Sequence, residues 1–162
     1  MSEKVFNTLF LCSANSVRSI MAEVVLNRLG RGRFRAFSAG IRPRGELHPI
    51  AILALQAMGD DLTGLRSKSW EEFTAPDAAQ MDFIITLCDE SAGEACLTLP
   101  GQPLTAHWEF PDPAAFEGTD EEKLKAFEHV EALIARRIRL MLELSPEKLD
   151  HLAIHRLEKV GP

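Results

Sequence analysis

The largely apolar run Val5 to Leu11 gives way to Cys12-Ser13-Ala14-Asn15-Ser16-Val17-Arg18-Ser19, and a helix-patterned stretch begins at once at Ile20. A strand that turns into a helix within so few residues opens a β-loop-α unit. Such a turn gathers inward-pointing backbone N–H groups, adds the partial positive charge of a helix N-terminus, and here carries an arginine six positions after a cysteine. Its expected ligand is an oxyanion. The same field favours the thiolate of Cys12 and makes it a nucleophile. Read singly, Cys12 is also a buried strand-end cysteine, Asn15 a turn residue and Ser19 a helix N-cap. Together they favour the anion loop: Asn15 tolerates the left-handed backbone a tight loop requires, and the Ser19 hydroxyl can donate to the thiolate.

Hydrophobic period along the rest of the chain alternates strand and helix. The pattern predicts strands at Val5 to Leu11, Arg35 to Ser38 and Phe83 to Leu87, with a short apolar segment at Leu104 to His107. It predicts helices at Ser19 to Leu29, Pro49 to Met58 and Asp120 to Leu144, the last opening on Thr119-Asp120-Glu121-Glu122. Leu124, Phe127, Leu133, Ile134, Ile138 and Leu142 recur at near-helical spacing and read as core. Alternation of this kind implies an α/β fold, a parallel sheet covered by helices in three layers, with the site at the carboxyl ends of the strands.

At 162 residues, 46% hydrophobic and 26% charged, the chain fits one compact domain with a real core. The opening Met-Ser-Glu-Lys lacks the apolar segment of a signal peptide, and no later run is long and apolar enough to span a bilayer. The expectation is a soluble cytoplasmic protein without a membrane partner. A net charge of −6 argues against nucleic-acid binding while leaving local binding of a small anion open.

A second motif, Trp108-Glu109-Phe110-Pro111-Asp112-Pro113, completes a resemblance. With the Cys12 to Ser19 loop, it makes the chain similar, from about Lys4 to Glu143, to the low-molecular-weight protein tyrosine phosphatase superfamily and to the arsenate reductases that share its fold. The resemblance implies a four-stranded sheet of order 2-1-3-4 and Asp112 as the general acid that protonates the leaving oxygen. It implies an oxyanion site of Ser13, Ala14, Asn15, Ser16, Val17, Arg18 and Ser19. The family domain then occupies residues 1–144. Residues 145–162 form an extension whose Leu149, Leu152, Ala153, Leu157 and Val160 approximate a helical stripe, docked on its own domain or on a second copy. A monomer or weak homodimer is expected.

Three cysteines, Cys12, Cys88 and Cys96, are an odd count that speaks against structural disulfides in a chain of this kind. On the residues alone, Cys88 reads as a core thiol and Cys96 as an incidental loop thiol. The resemblance implies more, because arsenate reductases of the thioredoxin-coupled type carry a cysteine pair at similar spacing after this strand. In that reading Cys12, Cys88 and Cys96 form a thiol-disulfide relay, with no tightly bound cofactor and with thioredoxin as external reductant. A phosphatase of the same family stops at a phosphocysteine that water hydrolyses, and a non-catalytic anion-binding regulator is the third reading. Tyrosine phosphatases of the family carry aromatic residues after Asp-Pro; this chain has Pro113-Ala114-Ala115 and no tyrosine at all. Arsenate reduction, an arsenic-detoxifying activity, is therefore the leading expectation.

Some positions depart from the family pattern. Ala14 stands where glycine is usual, which would strain the loop if that position needs positive φ. Val17 stands where cysteine is frequent. Asn15, Glu23 and Ser38 match positions that hold a buried potassium ion in some relatives. Arg66 falls where a small hydroxyl residue is expected, and its pairing with Glu23 would replace the ion, so no metal is expected. His151 and His155 share a helix spacing but lack a third ligand. His48 and His107 are candidates to approach the loop.

Overall fold

The computed structural model describes residues 5–87 and 103–144. Four strands, β1 (Phe6–Cys12), β2 (Phe34–Gly40), β3 (Phe83–Thr86) and β4 (Leu104–His107), form one sheet of order β2-β1-β3-β4. Every pairing is parallel, with Leu9 opposite Phe37 and Ile84, and Ile84 opposite Thr105. The helices are α1 (Arg18–Leu29), α2 (Pro49–Ala57) and α3 (Asp120–Leu142), joined by 3-10 turns at Trp70–Phe73 and Pro113–Ala115.

Side-chain alternation divides the sheet into two apolar faces. Phe10, Cys12, Phe34, Ala36, Phe83, Ile85 and Ala106 join the larger core, which Ile20, Met21, Val25, Leu55, Phe127, Ile134 and Ile138 of the three helices complete. Leu9, Leu11, Ala39 and Ile84 face the other way, onto Phe73 and Met81, where among the described residues the first 3-10 turn closes the layer. The expected α3 stripe packs as core, with Phe127, Ile134 and Ile138 buried and Leu124, Leu133 and Leu142 at its margin. At the start of α3, Thr119 and Glu122 exchange side-chain and backbone bonds of 3.1 Å, a capping box that satisfies amides at the helix start.

Two boundaries matter for the site. β1 runs one residue further than the apolar pattern, so Cys12 is its last residue and pairs with Gly40 at the end of β2. α1 begins at Arg18, which places the guanidinium on the first helical turn. Cys12 thus lies at the carboxyl edge of a central strand, where α/β sheets place ligands.

Candidate active site

The loop between Cys12 and Arg18 is held by its carbonyls. Cys12 O accepts from the Ile41 amide at 3.2 Å, Ser13 O from Arg42 at 2.9 Å, Ala14 O from Arg44 at 2.9 Å and Ser16 O from His48 at 3.1 Å. The Ser67 hydroxyl adds a second bond to Ala14 O at 3.2 Å. No bond among the described residues takes up the amides of Ala14 to Val17. A loop whose carbonyls are tied to the surrounding protein keeps its amides for an anion. Asn15 adopts φ 49°, and it is the one described residue other than glycine with positive φ, so the left-handed step falls on asparagine and Ala14 carries none of that strain.

Gly40 is a site residue that the sequence pattern does not single out. A Cβ there would lie 2.6 Å from the Ser13 carbonyl oxygen and 3.0 Å from the Asn15 amide nitrogen. The strand end must therefore be glycine for the loop to close over it.

Behind the loop, a polar chain of side chains reaches Cys12. Cys12 Sγ lies 2.9 Å from Ser19 Oγ. Asn15 Nδ2 donates to Ser19 Oγ at 2.9 Å and to Ser38 Oγ at 3.0 Å, while Asn15 Oδ1 accepts from the Lys68 amide at 2.8 Å. Ser38 in turn donates to Glu23. Cys12, Asn15, Ser19 and Ser38 are all buried.

The cation expectation is corrected here. Arg66 does not reach Glu23; its guanidinium makes a two-pronged pair with Glu72 at the surface. Lys68 is the residue that approaches Glu23, with Nζ 3.7 Å from Oε1 and both side chains largely buried. Burial raises the Glu23 pKa and lowers that of Lys68, and each charge opposes the shift of the other. An ammonium already beside the carboxylate leaves these residues a poor fit for a bound potassium ion. Among the described residues no group of three His, Cys, Asp or Glu side chains is arranged to hold a metal.

Over the mouth of the loop, Arg18 Nη1 donates to the Phe110 carbonyl at 3.1 Å and Nη2 lies 3.7 Å from Asp112 Oδ2. The Asp112 carboxyl is 44% exposed, and its Oδ1 accepts from the Ala114 amide at 3.0 Å. The second motif thus meets the first through Arg18, six residues after Cys12, which bonds Phe110 and approaches Asp112. Of the aromatic residues around Asp112, Trp108 and Phe110 are core residues, and Arg137 lies 5.8 Å and 5.0 Å from their ring centroids. Phe116 is exposed and, with Asp112, Pro113 and Val130, lines a cavity of about 490 Å³.

His48 lies behind the loop. Its Nδ1 caps α2 by accepting from the Ile50 amide at 3.2 Å, and its ring packs 4.8 Å from that of Phe127. Burial and Arg44 lower its pKa, which favours the neutral ring that such a cap needs. His107 Nδ1 bonds the Thr86 hydroxyl at 2.7 Å at the end of the β3–β4 pair. Cys88, Cys96, the 145–162 extension and its two histidines lie outside the described residues. The last described residue before Cys88, Leu87, donates its amide to Leu11 O at 2.8 Å, beside the strand end that carries Cys12.

Comparison with known proteins agrees with this geometry. An arsenate reductase from Halalkalibacterium halodurans is 36% identical over 143 residues, 88% of this chain and 98% of that protein. A glutaredoxin arsenate reductase from Synechocystis is 31% identical over 135 residues, 80% of this chain and 91% of that protein. A solved arsenate reductase in the phosphate-binding state superposes with a TM-score of 0.67 at 28% identity, covering 87% of this chain and all of that one. Residues 7–151 match the model of the low molecular weight phosphotyrosine protein phosphatases, and the chain belongs to that family.

Proposed function

We propose that the protein is an arsenate reductase working through Cys12. The observation that carries the reading is the convergence of Cys12, Arg18 and Asp112 on one anion loop in a chain whose full-length relatives are named arsenate reductases. The Cys12 thiolate attacks arsenic, Arg18 and the loop amides take the negative charge, and Asp112 protonates the departing hydroxide as water. The result is a Cys12 thioarsenate that is still pentavalent. Cys88 then attacks the Cys12 sulfur: a Cys12–Cys88 disulfide forms, the sulfur–arsenic bond breaks, and its electron pair leaves with arsenic as trivalent arsenite. Cys96 exchanges onto Cys88, freeing Cys12 and leaving a Cys88–Cys96 disulfide for an external dithiol to reduce.

Thioredoxin suits that last step, because a chain that supplies both downstream thiols itself needs only a dithiol reductant. A glutaredoxin system is the competing reductant, in view of the Synechocystis relative. The chemistry calls for a thiol-reducing compartment, the cytoplasm, and among the described residues no helix is long and apolar enough to cross a membrane.

Phosphomonoester hydrolysis is the second reading, favoured by the shared first step and by the exposed Phe116 beside Asp112. The test is a single turnover of reduced protein with arsenate, scoring arsenite and mapping disulfides, with Cys88→Ser as control. Stoichiometric arsenite with a Cys88–Cys96 bond, lost in the control, supports the relay. Steady phosphate release from an aryl phosphate with no arsenite would replace it by the hydrolase.

A further inference from the structure

We propose that Lys68 is a positioning residue for Cys12, its ammonium standing in for a bound monovalent cation beneath the anion loop and fixing, through Glu23, Ser38, Asn15 and Ser19, the direction of the hydrogen bond the thiolate receives. This rests on Cys12 being the nucleophile and is independent of which oxyanion it attacks.

The direction follows from counting protons. An ionised carboxylate only accepts, so the single hydroxyl proton of Ser38 goes to Glu23. Ser38 Oγ is then left to accept, which it does from Asn15 Nδ2 at 3.0 Å. The second Nδ2 proton goes to Ser19 Oγ at 2.9 Å, so the single proton of Ser19 is free for Cys12 Sγ at 2.9 Å. Lys68 acts on this chain twice. Its backbone N–H, 2.8 Å from Asn15 Oδ1, decides which end of the amide faces the two hydroxyls. Its ammonium, 3.7 Å from Glu23 and anchored by a 3.0 Å bond to the Arg66 carbonyl, supplies the positive charge the buried carboxylate needs to stay an acceptor.

Of the other charged groups near Glu23, Arg31 and Asp61 stand at the exposed rim of the cavity it borders, and the rest are paired. Arg66 pairs with Glu72, and Arg28, across the cavity that Glu23 borders, pairs with Asp60. Without the Lys68 charge, which opposes the effect of burial, the Glu23 pKa rises further, and a protonated carboxyl can donate to Ser38 as well as accept from it. The Ser38 proton is then no longer fixed on Glu23, and the order of the chain through Asn15 to Ser19 is weakened.

The experiment follows carboxymethylation of Cys12 by iodoacetate in the reduced full-length protein, located by mass spectrometry and run from pH 5 to pH 10. No arsenate is present, so a failure of the arsenate reductase reading leaves the result interpretable. In Lys68→Met the rate at pH 6 should fall by about tenfold, the size of one weakened charge-assisted hydrogen bond, while the rate above pH 9 stays that of wild type. The wild-type profile should be the same in potassium chloride as in choline chloride at equal ionic strength. An unchanged Lys68→Met profile, or a wild-type rate at pH 6 that drops severalfold in choline, would overturn the proposal. If Lys68→Met does not fold, Glu23→Leu removes the acceptor of the Ser38 proton and must slow the same reaction; a wild-type profile there overturns it equally.

Discussion

Replacing Gly40 by alanine asks whether the anion loop is placed by the end of β2. The added Cβ would sit 2.6 Å from Ser13 O, short of ordinary contact by about 0.8 Å, and 3.0 Å from both the amide nitrogen and the Cβ of Asn15. None of these neighbours is a flexible side-chain tip. Ser13 O is held by the Arg42 amide and Asn15 by Lys68, Ser19 and Ser38, so the clash is relieved only by moving the loop backbone. Overpacking of this kind costs about 1 to 3 kcal/mol. For a chain of this length that is a fall in melting temperature of very roughly 3 to 10 °C. Catalysis should suffer more, since displacing reacting groups by about 1 Å can cost on the order of 100-fold. Thermal unfolding and single-turnover arsenite release, both on Gly40→Ala, check the two parts. A variant that melts with wild type and turns over at full rate would refute the view that β2 places the loop, and a large stability loss with normal turnover would refute the link between placement and rate.

Asn15→Ala should lose about 2 to 4 kcal/mol of stability, because it removes two buried bonds and a half-buried one and puts alanine at a φ of 49°; denaturant titration reads the loss. Asp112→Asn keeps the Arg18 contact distance but cannot donate a proton, so arsenate turnover should fall by about 100-fold or more while affinity for phosphate changes little, checked by single-turnover rates and phosphate titration. Glu131, buried on α3, has a pKa raised to about 7 by burial and by the nearby Asp60, and its Oε2 finds no partner among the described residues. The folded state therefore holds a proton that the unfolded state releases above pH 4.5, so the contribution of this group to stability falls as pH rises from about 4.5 through 7. Glu131→Gln should consequently raise the melting temperature at pH 8 by several degrees and leave it nearly unchanged at pH 5; equal shifts at both pH values would contradict the assignment.

The parts of the site visible in sequence are those written locally. Cys12, Arg18 and Ser19 follow from one strand-loop-helix stretch, and the left-handed residue falls on Asn15 because asparagine accepts that backbone more readily than Ala14 does. The start of α3 is equally local, since Thr119 and Glu122 are three residues apart. Strand order, by contrast, came from resemblance, because apolar period says nothing about which strand pairs with which. Gly40 was illegible for a related reason: a glycine at a strand end reads as a turn signal, and only the approach of Ser13 shows that a Cβ is forbidden there. The choice between Arg66 and Lys68 as the partner of Glu23 was beyond spacing. Both lie more than 40 residues from Glu23, and the path of the intervening backbone directs Lys68 inward and Arg66 to the surface.

The two halves of the site are anchored separately, and this bears on how one fold serves two chemistries. The anion loop is held from behind by the amides of Ile41, Arg42, Arg44 and His48 and by Ser67, so its own amides face the anion without rearrangement at the moment of attack. Asp112, the proposed acid, is carried by a different stretch, whose Trp108 and Phe110 rings pack against Arg137 and whose Phe110 carbonyl meets Arg18. Among the described residues Arg18 is the one side chain bonded into both. Anything that binds arsenate also binds phosphate in such a loop, since both are tetrahedral oxyanions gripped by the same N–H groups. The loop therefore fixes the first adduct, and the fate of that adduct is left to what reaches the Cys12 sulfur next: water in a phosphatase, a second thiolate in a reductase. On this reasoning the reductase is distinguished by Cys88 and Cys96 rather than by its oxyanion site, and Cys88→Ser should abolish arsenite release while leaving phosphate affinity at Cys12 unaltered.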